Sequence, residues 1–220
     1  MLSAKMEDYL KAIYQLQAET GEVVTTSGLA DALDVTPPTA SSMLEKLEDR
    51  GLIEREKYQG AHLTPEGETV ALEIIRHHRL IETYLTEQLG FDWSEVHDEA
   101  DRLEHHISER FERRVADALN DPDVDPHGDP IPSAALEPVE ESGGDTLAEH
   151  AVGETVVVRR VSDRDPDELA YLSEQGLTPG TALEVIDVTP IGQVVVAIEE
   201  TEVSLPDRIA ELIVVGPREE

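Results

Sequence analysis

The sequence predicts an α+β chain in three parts, and three patterns predict it. Apolar residues recur at helical spacing three times before residue 51, and a short hairpin pattern follows. Two long helix-patterned segments come next. Beyond a stretch rich in proline and acid, several short strand-like runs crowd into the last third of the chain. Together they give an N-terminal winged helix-turn-helix over 1–63 and a helical domain over 64–120. A linker over 121–146 and a small β-barrel over 147–217 complete the chain.

The first helix is expected from Lys5 to Thr20, with Met6, Tyr9, Leu10, Ile13, Tyr14 and Leu16 on one face and Gly21 ending it. Thr26 or Ser27 can cap a short second helix through Leu29, Ala30 and Leu33. Thr36-Pro37-Pro38 opens the third, where proline is tolerated because first-turn amides lack intrahelical partners. Ala40, Met43, Leu44 and Leu47 form its apolar face, and Gly51 stops it. Leu52 to Leu63 reads as a hairpin turning at Tyr58-Gln59-Gly60. Thr64-Pro65 starts a long fourth helix to about Leu89, and Ser94 can cap a fifth running to about Leu119. Paired long helices commonly form a dimer interface. Five prolines between 122 and 138 mark the linker. The runs 154–161, 182–188, 193–198 and 209–215 read as strands, with a short helix near 167–174.

Charge sets the environment. There are 49 Asp and Glu against 17 Lys and Arg, a net of −32, and no cysteine. The missing cysteine excludes disulfides, thiolate metal sites and a cysteine nucleophile. No apolar run approaches the ~20 residues of a membrane span, so the protein is expected to be cytoplasmic. Only four basic residues are lysine (Lys5, Lys11, Lys46, Lys57), and acids are spread throughout. That pattern reads as adaptation to the salty cytoplasm of a halophilic archaeon, where charge repulsion is screened over ~3 Å at 1 M salt. Residues 1–63 carry 11 acids and 6 bases, whereas residues 121–220 carry 24 and 5. The N-terminal third is therefore the part least hostile to a polyanion. Arg50, Arg55 and Lys57, with Lys46, are its candidate phosphate partners.

The chemistry-bearing pattern lies in the middle. His78 and Glu82 are one helical turn apart; His97, Asp101, Glu104 and His105 fall at i, i+4, i+7 and i+8. Imidazole and carboxylate donors striped on two consecutive helices are what a metal site between helices requires. His77 and His106 point elsewhere, and His62, His127 and His150 carry no pattern. With no HExxH, phosphate loop or serine elbow, no catalytic residue is expected and the chain is not read as an enzyme.

These residues resemble the diphtheria-toxin-repressor and manganese-transport-regulator family of metal-dependent transcriptional repressors, in its three-domain form. The likeness runs through Met6-Glu7-Asp8-Tyr9-Leu10, Thr36-Pro37-Pro38-Thr39, Glu56-Lys57-Tyr58-Gln59-Gly60 and His78-Arg79-Leu80. It is most specific at Val96-His97-Asp98-Glu99-Ala100, Glu104-His105 and Gly128-Asp129-Pro130-Ile131-Pro132. The C-terminal part is similar to the family's SH3-like, FeoA-type domain. The resemblance implies a primary metal site of Asp8, Asp101, Glu104 and His105. It implies an ancillary one of His78, Glu82 and His97, with Asp165 and Glu168 reaching in from the SH3-like domain. It also places Thr36, Pro38, Thr39, Ser41 and Ser42 on the DNA-facing side of the third helix. Iron-type members carry Met and Cys where this chain has Asp8 and Asp101, and manganese-type members carry an acid in place of Lys11.

The implied function is a repressor of metal-uptake genes that binds a palindromic double-stranded operator as a metal-loaded homodimer, with no membrane partner and no small-molecule substrate. Hard oxygen and imidazole donors favour Mn²⁺ over Fe²⁺; Co²⁺, Ni²⁺ and Zn²⁺ are expected to bind in vitro. Two other readings stay open from the residues alone. One is a winged-helix regulator of an organic ligand; the other is a metal-buffering or metal-hydrolase protein that binds no operator.

Overall fold

The computed structural model describes residues 2–21, 23–56, 60–139, 144–163, 165–190, 192–199 and 201–218. The chain forms two compact units. The first comprises Met1–His78, Arg102–Glu112 and Ile131–Val139; the second comprises Arg79–Asp101, Arg113–Pro130 and Glu140–Glu220.

In the first unit, α1 (Ala4–Thr20) buries the expected stripe of Met6, Tyr9, Leu10, Ile13 and Tyr14. It stops where Gly21 turns left-handed and returns its N–H to the carbonyl of Gln17. Helix α2 (Thr26–Ala32) is capped one residue earlier than expected, by Thr25, whose hydroxyl accepts from the Gly28 N–H at 3.0 Å. Helix α3 (Pro37–Glu48) begins on its two prolines and buries Ala40, Met43, Leu44 and Leu47. Strands β1 (Ile53–Glu56) and β2 (Gly60–Leu63) pair antiparallel from Ile53↔Leu63 to Glu56↔Gly60. The Leu63 N–H donates to Gln17 Oε1 at 3.0 Å, tying this hairpin to α1. Helix α4 (Pro65–Leu89) follows, its first turn capped by the Thr64 hydroxyl, which accepts from the Gly67 N–H.

Leu47 is fully buried in this core beside Leu10, Leu44 and Ile53. Leu47→Ala is expected to lower stability by about 2–5 kcal/mol, read by urea denaturation in high salt without metal, with the cavity left behind setting the value.

The expected fifth helix is two helices. Helix α5 (Val96–Leu103) ends early, and α6 (Glu109–Ala118) starts afresh at Ser108, whose carbonyl accepts from the N–H groups of Phe111 and Glu112. Ser94 does not cap α5 directly. Its N–H and hydroxyl both donate to Asp92 in the preceding turn. The break has a physical reason: Glu104 and His105 turn inward, and Glu104 ends only 1% exposed.

The linker is packed rather than loose over most of its length. In the first unit Leu136 and Val139 lie against the helical core, and Arg76 Nη1 donates to the Pro132 carbonyl at 2.7 Å. In the second unit Arg79 Nη1 donates to the Pro130 carbonyl at 2.6 Å. There too the linker's Val161 contact is a backbone one, the Val161 N–H donating to the His127 carbonyl at 2.9 Å.

The C-terminal part of the second unit is an antiparallel five-stranded sheet with two short helices. Its elements are β3 (Thr155–Val161), α7 (Pro166–Glu174), β4 (Ala182–Thr189), β5 (Gln193–Ile198), β6 (Thr201–Pro206), α8 (Asp207–Ala210) and β7 (Ile213–Pro217). The strand order is β6-β5-β4-β3-β7. Strand β6 was not expected, although Val203 and Leu205 alternate inward with exposed Glu202 and Ser204. The run 209–215 divides into α8, which buries Ile209 and Ala210, and β7. Val158, Val185, Val196, Leu169 and Leu172 close the core between sheet and α7.

Candidate metal centres

In the first unit Asp8, Glu104 and His105 each bring one donor atom within 4.8 Å of the others. The first comes from α1 of the winged-helix head and the other two from the turn after α5. His105 Nε2 lies 2.7 Å from Asp8 Oδ1 and 3.3 Å from Glu104 Oε1. Its other nitrogen, Nδ1, is 2.7 Å from Glu7 Oε2. With Nδ1 donating to Glu7, Nε2 is left as the lone-pair nitrogen facing the two carboxylates, the tautomer a metal ligand needs. Glu7 was not among the expected site residues; its one signal is adjacency to Asp8. The Asp8 carboxyl is raised above its ordinary range, chiefly by burial, against the pull of His105. Burial also pushes Glu104 up, but His78 and Lys11 outweigh it and the net shift is downward. Glu104 Oε2 stands 2.6 Å from His78 Nδ1 and accepts from Lys11 Nζ at 2.9 Å. Its backbone carbonyl lies 3.2 Å from His77 Nδ1.

His78, expected among the ancillary donors, thus belongs to the first unit, where it meets Glu104. Asp101, expected at the primary site, belongs to the second unit, where its Oδ2 is 3.7 Å from His97 Nε2.

The second unit holds another cluster. His97 Nδ1 is 3.3 Å from Glu82 Oε1 and 3.1 Å from Asp163 Oδ2. On the far side of Glu82, its Oε2 faces His127 Nδ1 at 3.7 Å, and Glu82, Asp125 and His127 bring donor atoms within 4.8 Å of one another. Glu82 and His127 are fully buried and Asp125 nearly so. His127 Nε2 lies 2.8 Å from the Trp93 carbonyl, to which it can donate, leaving Nδ1 buried and without a hydrogen-bond partner. Asp125 is set in place by accepting from the N–H groups of His127 and Asp129. Burial drives the Asp125 carboxyl strongly upward, helped by the charges of Glu82 and Asp129. Burial lowers His127, yet Glu82, 3.7 Å from its Nδ1, and the charges of Asp125 and Asp163 prevail and raise it to about 9. Burial likewise raises Asp163, but His97 overcomes this and holds it down at about 2. Glu82, Asp125 and Asp163, with His97 and the Nδ1 of His127, make an oxygen and imidazole donor set that suits a divalent cation. The residues of both clusters fit such an ion.

Asp163 therefore stands where Asp165 and Glu168 were expected, and the reason is local. Asp165 is the N-cap of α7, accepting from the N–H groups of Asp167 and Glu168, with Pro166 behind it. Glu168 is ion-paired with Arg208. Asp163, Asp125 and His127 escaped sequence reasoning. The run Asp125-Pro126-His127-Gly128-Asp129, with two acids and an imidazole in five loop residues, was the available signal.

On the winged-helix head, Thr36 is the N-cap of α3 and its hydroxyl pairs with that of Thr39 at 2.8 Å. Thr36, Pro38, Thr39, Ser42, Lys46 and Arg50 are exposed, and Ser41 partly so. Arg55 is shared between Glu45 and Glu48 of α3, at 3.9 and 3.8 Å. Lys57 lies outside the described residues.

Three family models match the chain in succession. They are the iron dependent repressor N-terminal DNA binding domain over 1–61, the iron dependent repressor metal binding and dimerisation domain over 64–133, and the FeoA domain over 146–217. The chain is 35% identical to the iron-dependent repressor IdeR of Mycobacterium tuberculosis, covering 94% of each. It is 34% identical to the diphtheria toxin repressor of Corynebacterium efficiens, covering 94% of this chain and 93% of that one. A solved manganese-dependent transcriptional repressor in complex with manganese superposes with a TM-score of 0.86 at 37% identity, over 96% of this chain and 98% of that one. ScaR with bound Zn²⁺ gives 0.80 at 32%, with the same coverage. With both halves of the repressor architecture matched and a FeoA domain behind them, the chain belongs to the iron-dependent repressor family typified by the diphtheria toxin repressor.

Proposed function

We propose that this protein is a metal-dependent transcriptional repressor of metal-uptake genes, acting as a homodimer on a palindromic double-stranded operator. One observation carries the reading. Asp8, on the first helix of the DNA-reading head, meets Glu104 and His105 of the helical domain, with His105 Nε2 2.7 Å from Asp8 Oδ1. When bound there, a divalent ion supplies the positive charge that lets two carboxylates and an imidazole stay together. Asp8 then holds α1, and with it α3, in one setting, so Thr36, Pro38, Thr39, Ser41 and Ser42 meet the groove at a fixed spacing between protomers. Their small hydroxyls and methylenes suit phosphate bonds and thymine methyl contacts. Lys46, Arg50, Arg55 and Lys57 supply phosphate contacts.

Asp101 is a primary donor only as the family resemblance implies it. The second centre is built from Glu82, His97 and Asp163, with Asp125 and His127 beside it. Oxygen and neutral imidazole donors suit Mn²⁺ ahead of Fe²⁺, and Co²⁺, Ni²⁺ and Zn²⁺ bind them too. The exposed apolar Leu89 and Phe91 at the end of α4 support a protein contact there. No residue is assigned a catalytic role.

The test is a gel shift in high salt on DNA upstream of a metal transporter, with chelator, Mn²⁺ or Fe²⁺ as the only variable. Binding is expected with either metal and lost with chelator. Asp8→Ala should lose the metal response while remaining a folded dimer. Metal-dependent binding by Asp8→Ala would overturn the clamp. Binding indifferent to chelator would point to an organic effector, and turnover or bulk metal storage without operator binding would point to the other alternative.

A further inference from the structure

Glu104 presents its two oxygens to different surroundings. Oε1 faces His105 Nε2 at 3.3 Å, on the side of Asp8. Oε2 accepts from Lys11 Nζ at 2.9 Å and lies 2.6 Å from His78 Nδ1. Lys11 Nζ and His78 Nδ1 are themselves 3.0 Å apart, so ammonium, carboxylate and imidazole close a triangle. The side chain of Lys11 is 13% exposed, that of Glu104 1% and that of His78 4%. A lysine drawn this far from water needs a paired acid, and Glu104 is that acid. Lys11 also follows Asp8 by three residues on α1, so one helical face carries both a metal donor and a fixed positive charge.

We propose that the Lys11 ammonium is a built-in cation that confines Glu104 to ligation through Oε1 and the Asp8/Glu104/His105 centre to a single divalent ion. The inference rests on the reading of that centre as a metal site. A second ion on Oε2 and His78 Nδ1 would have to stand where the ammonium stands, against its charge. Lys11 is therefore a specificity-determining residue: it sets how many ions the centre counts, and it keeps Glu104 a one-oxygen donor.

The experiment uses the full chain carrying Glu82→Gln and His97→Ala, which removes donors of the second centre. Mn²⁺ bound per chain is counted by equilibrium dialysis, and its electron paramagnetic resonance spectrum is recorded. This parent is expected to bind one Mn²⁺ with the six-line spectrum of an isolated ion. Adding Lys11→Glu, which supplies a carboxylate in place of the ammonium, should give two Mn²⁺ per chain and an exchange-broadened spectrum. Adding Lys11→Met instead keeps the stem, removes the charge and should tighten binding of the single ion at least about tenfold. Circular dichroism checks that each variant is folded, and if Lys11→Glu is not, Lys11→Met decides. The proposal is overturned by two coupled ions in the parent, by one ion in folded Lys11→Glu, or by unchanged affinity in Lys11→Met. A parent that binds no Mn²⁺ would instead remove the metal centre itself.

Discussion

Glu104→Leu should abolish the metal response altogether, lowering operator affinity in Mn²⁺ at least about a hundredfold, to the level of chelator-treated protein. The substitution takes away an acid that faces both His105 and Lys11, and with it the carboxylate 2.9 Å from the part-buried ammonium. Breaking a buried pair from one side costs about 3–5 kcal/mol, so the metal-free protein should also melt earlier. Gel shifts with and without Mn²⁺ measure the first effect, and thermal melts in chelator the second. A combined Glu104→Leu, Lys11→Met variant should recover much of the melting temperature and none of the metal response. Recovery of both would mean that Glu104 matters for packing alone.

The second large effect is expected at Gly128. It has φ +91°, and a Cβ there would sit 2.0 Å from the Arg159 carbonyl oxygen, a backbone atom with no freedom to retreat. Gly128→Ala must therefore lift the linker off β3. Its neighbour His127 would lose the Val161 N–H that its carbonyl accepts, and with it the placement of Nδ1 beside Glu82. The expected outcome is loss of the second centre, seen as one fewer ion per chain by equilibrium dialysis, together with destabilisation of about 2 kcal/mol or more from strain at a positive-φ site. Unchanged ion count would show that Asp125 and His127 contribute nothing to metal.

Much of the architecture was legible in advance because it rests on local periodicity. The α1 stripe, the Pro37-Pro38 start of α3 and the alternation in β3 to β5 are each written within one element. The α5–α6 break was not legible, because apolar spacing continues across it and the cause is the burial of Glu104 by distant partners. The metal residues divide the same way. Helical spacing brought out His78, Glu82, His97, Asp101, Glu104 and His105, whereas Asp8 came only from family resemblance. His127 had no periodic neighbours to announce it; its role is created by Trp93 and Glu82, more than 30 residues earlier in the chain. Asp165 misled for a chemical reason. Asp-Pro-Asp-Glu is a helix start, and a carboxylate that caps two backbone amides is already spoken for.

The division of the linker at Pro130 and Ile131 bears on how such a chain can be shortened. A stop codon after Val139 would look harmless, since it deletes a separate FeoA domain and keeps every residue of the helical domain. It would also strip away Arg159, Val161 and Asp163, against which Gly128, His127 and His97 are held. What remained would be Glu82, Asp125 and His127 with their cover removed, three polar groups placed for an interior that no longer exists. Losing the third domain therefore also dissolves the second centre: Glu82, Asp125 and His127 meet water at little cost, but nothing then holds them and His97 in one place.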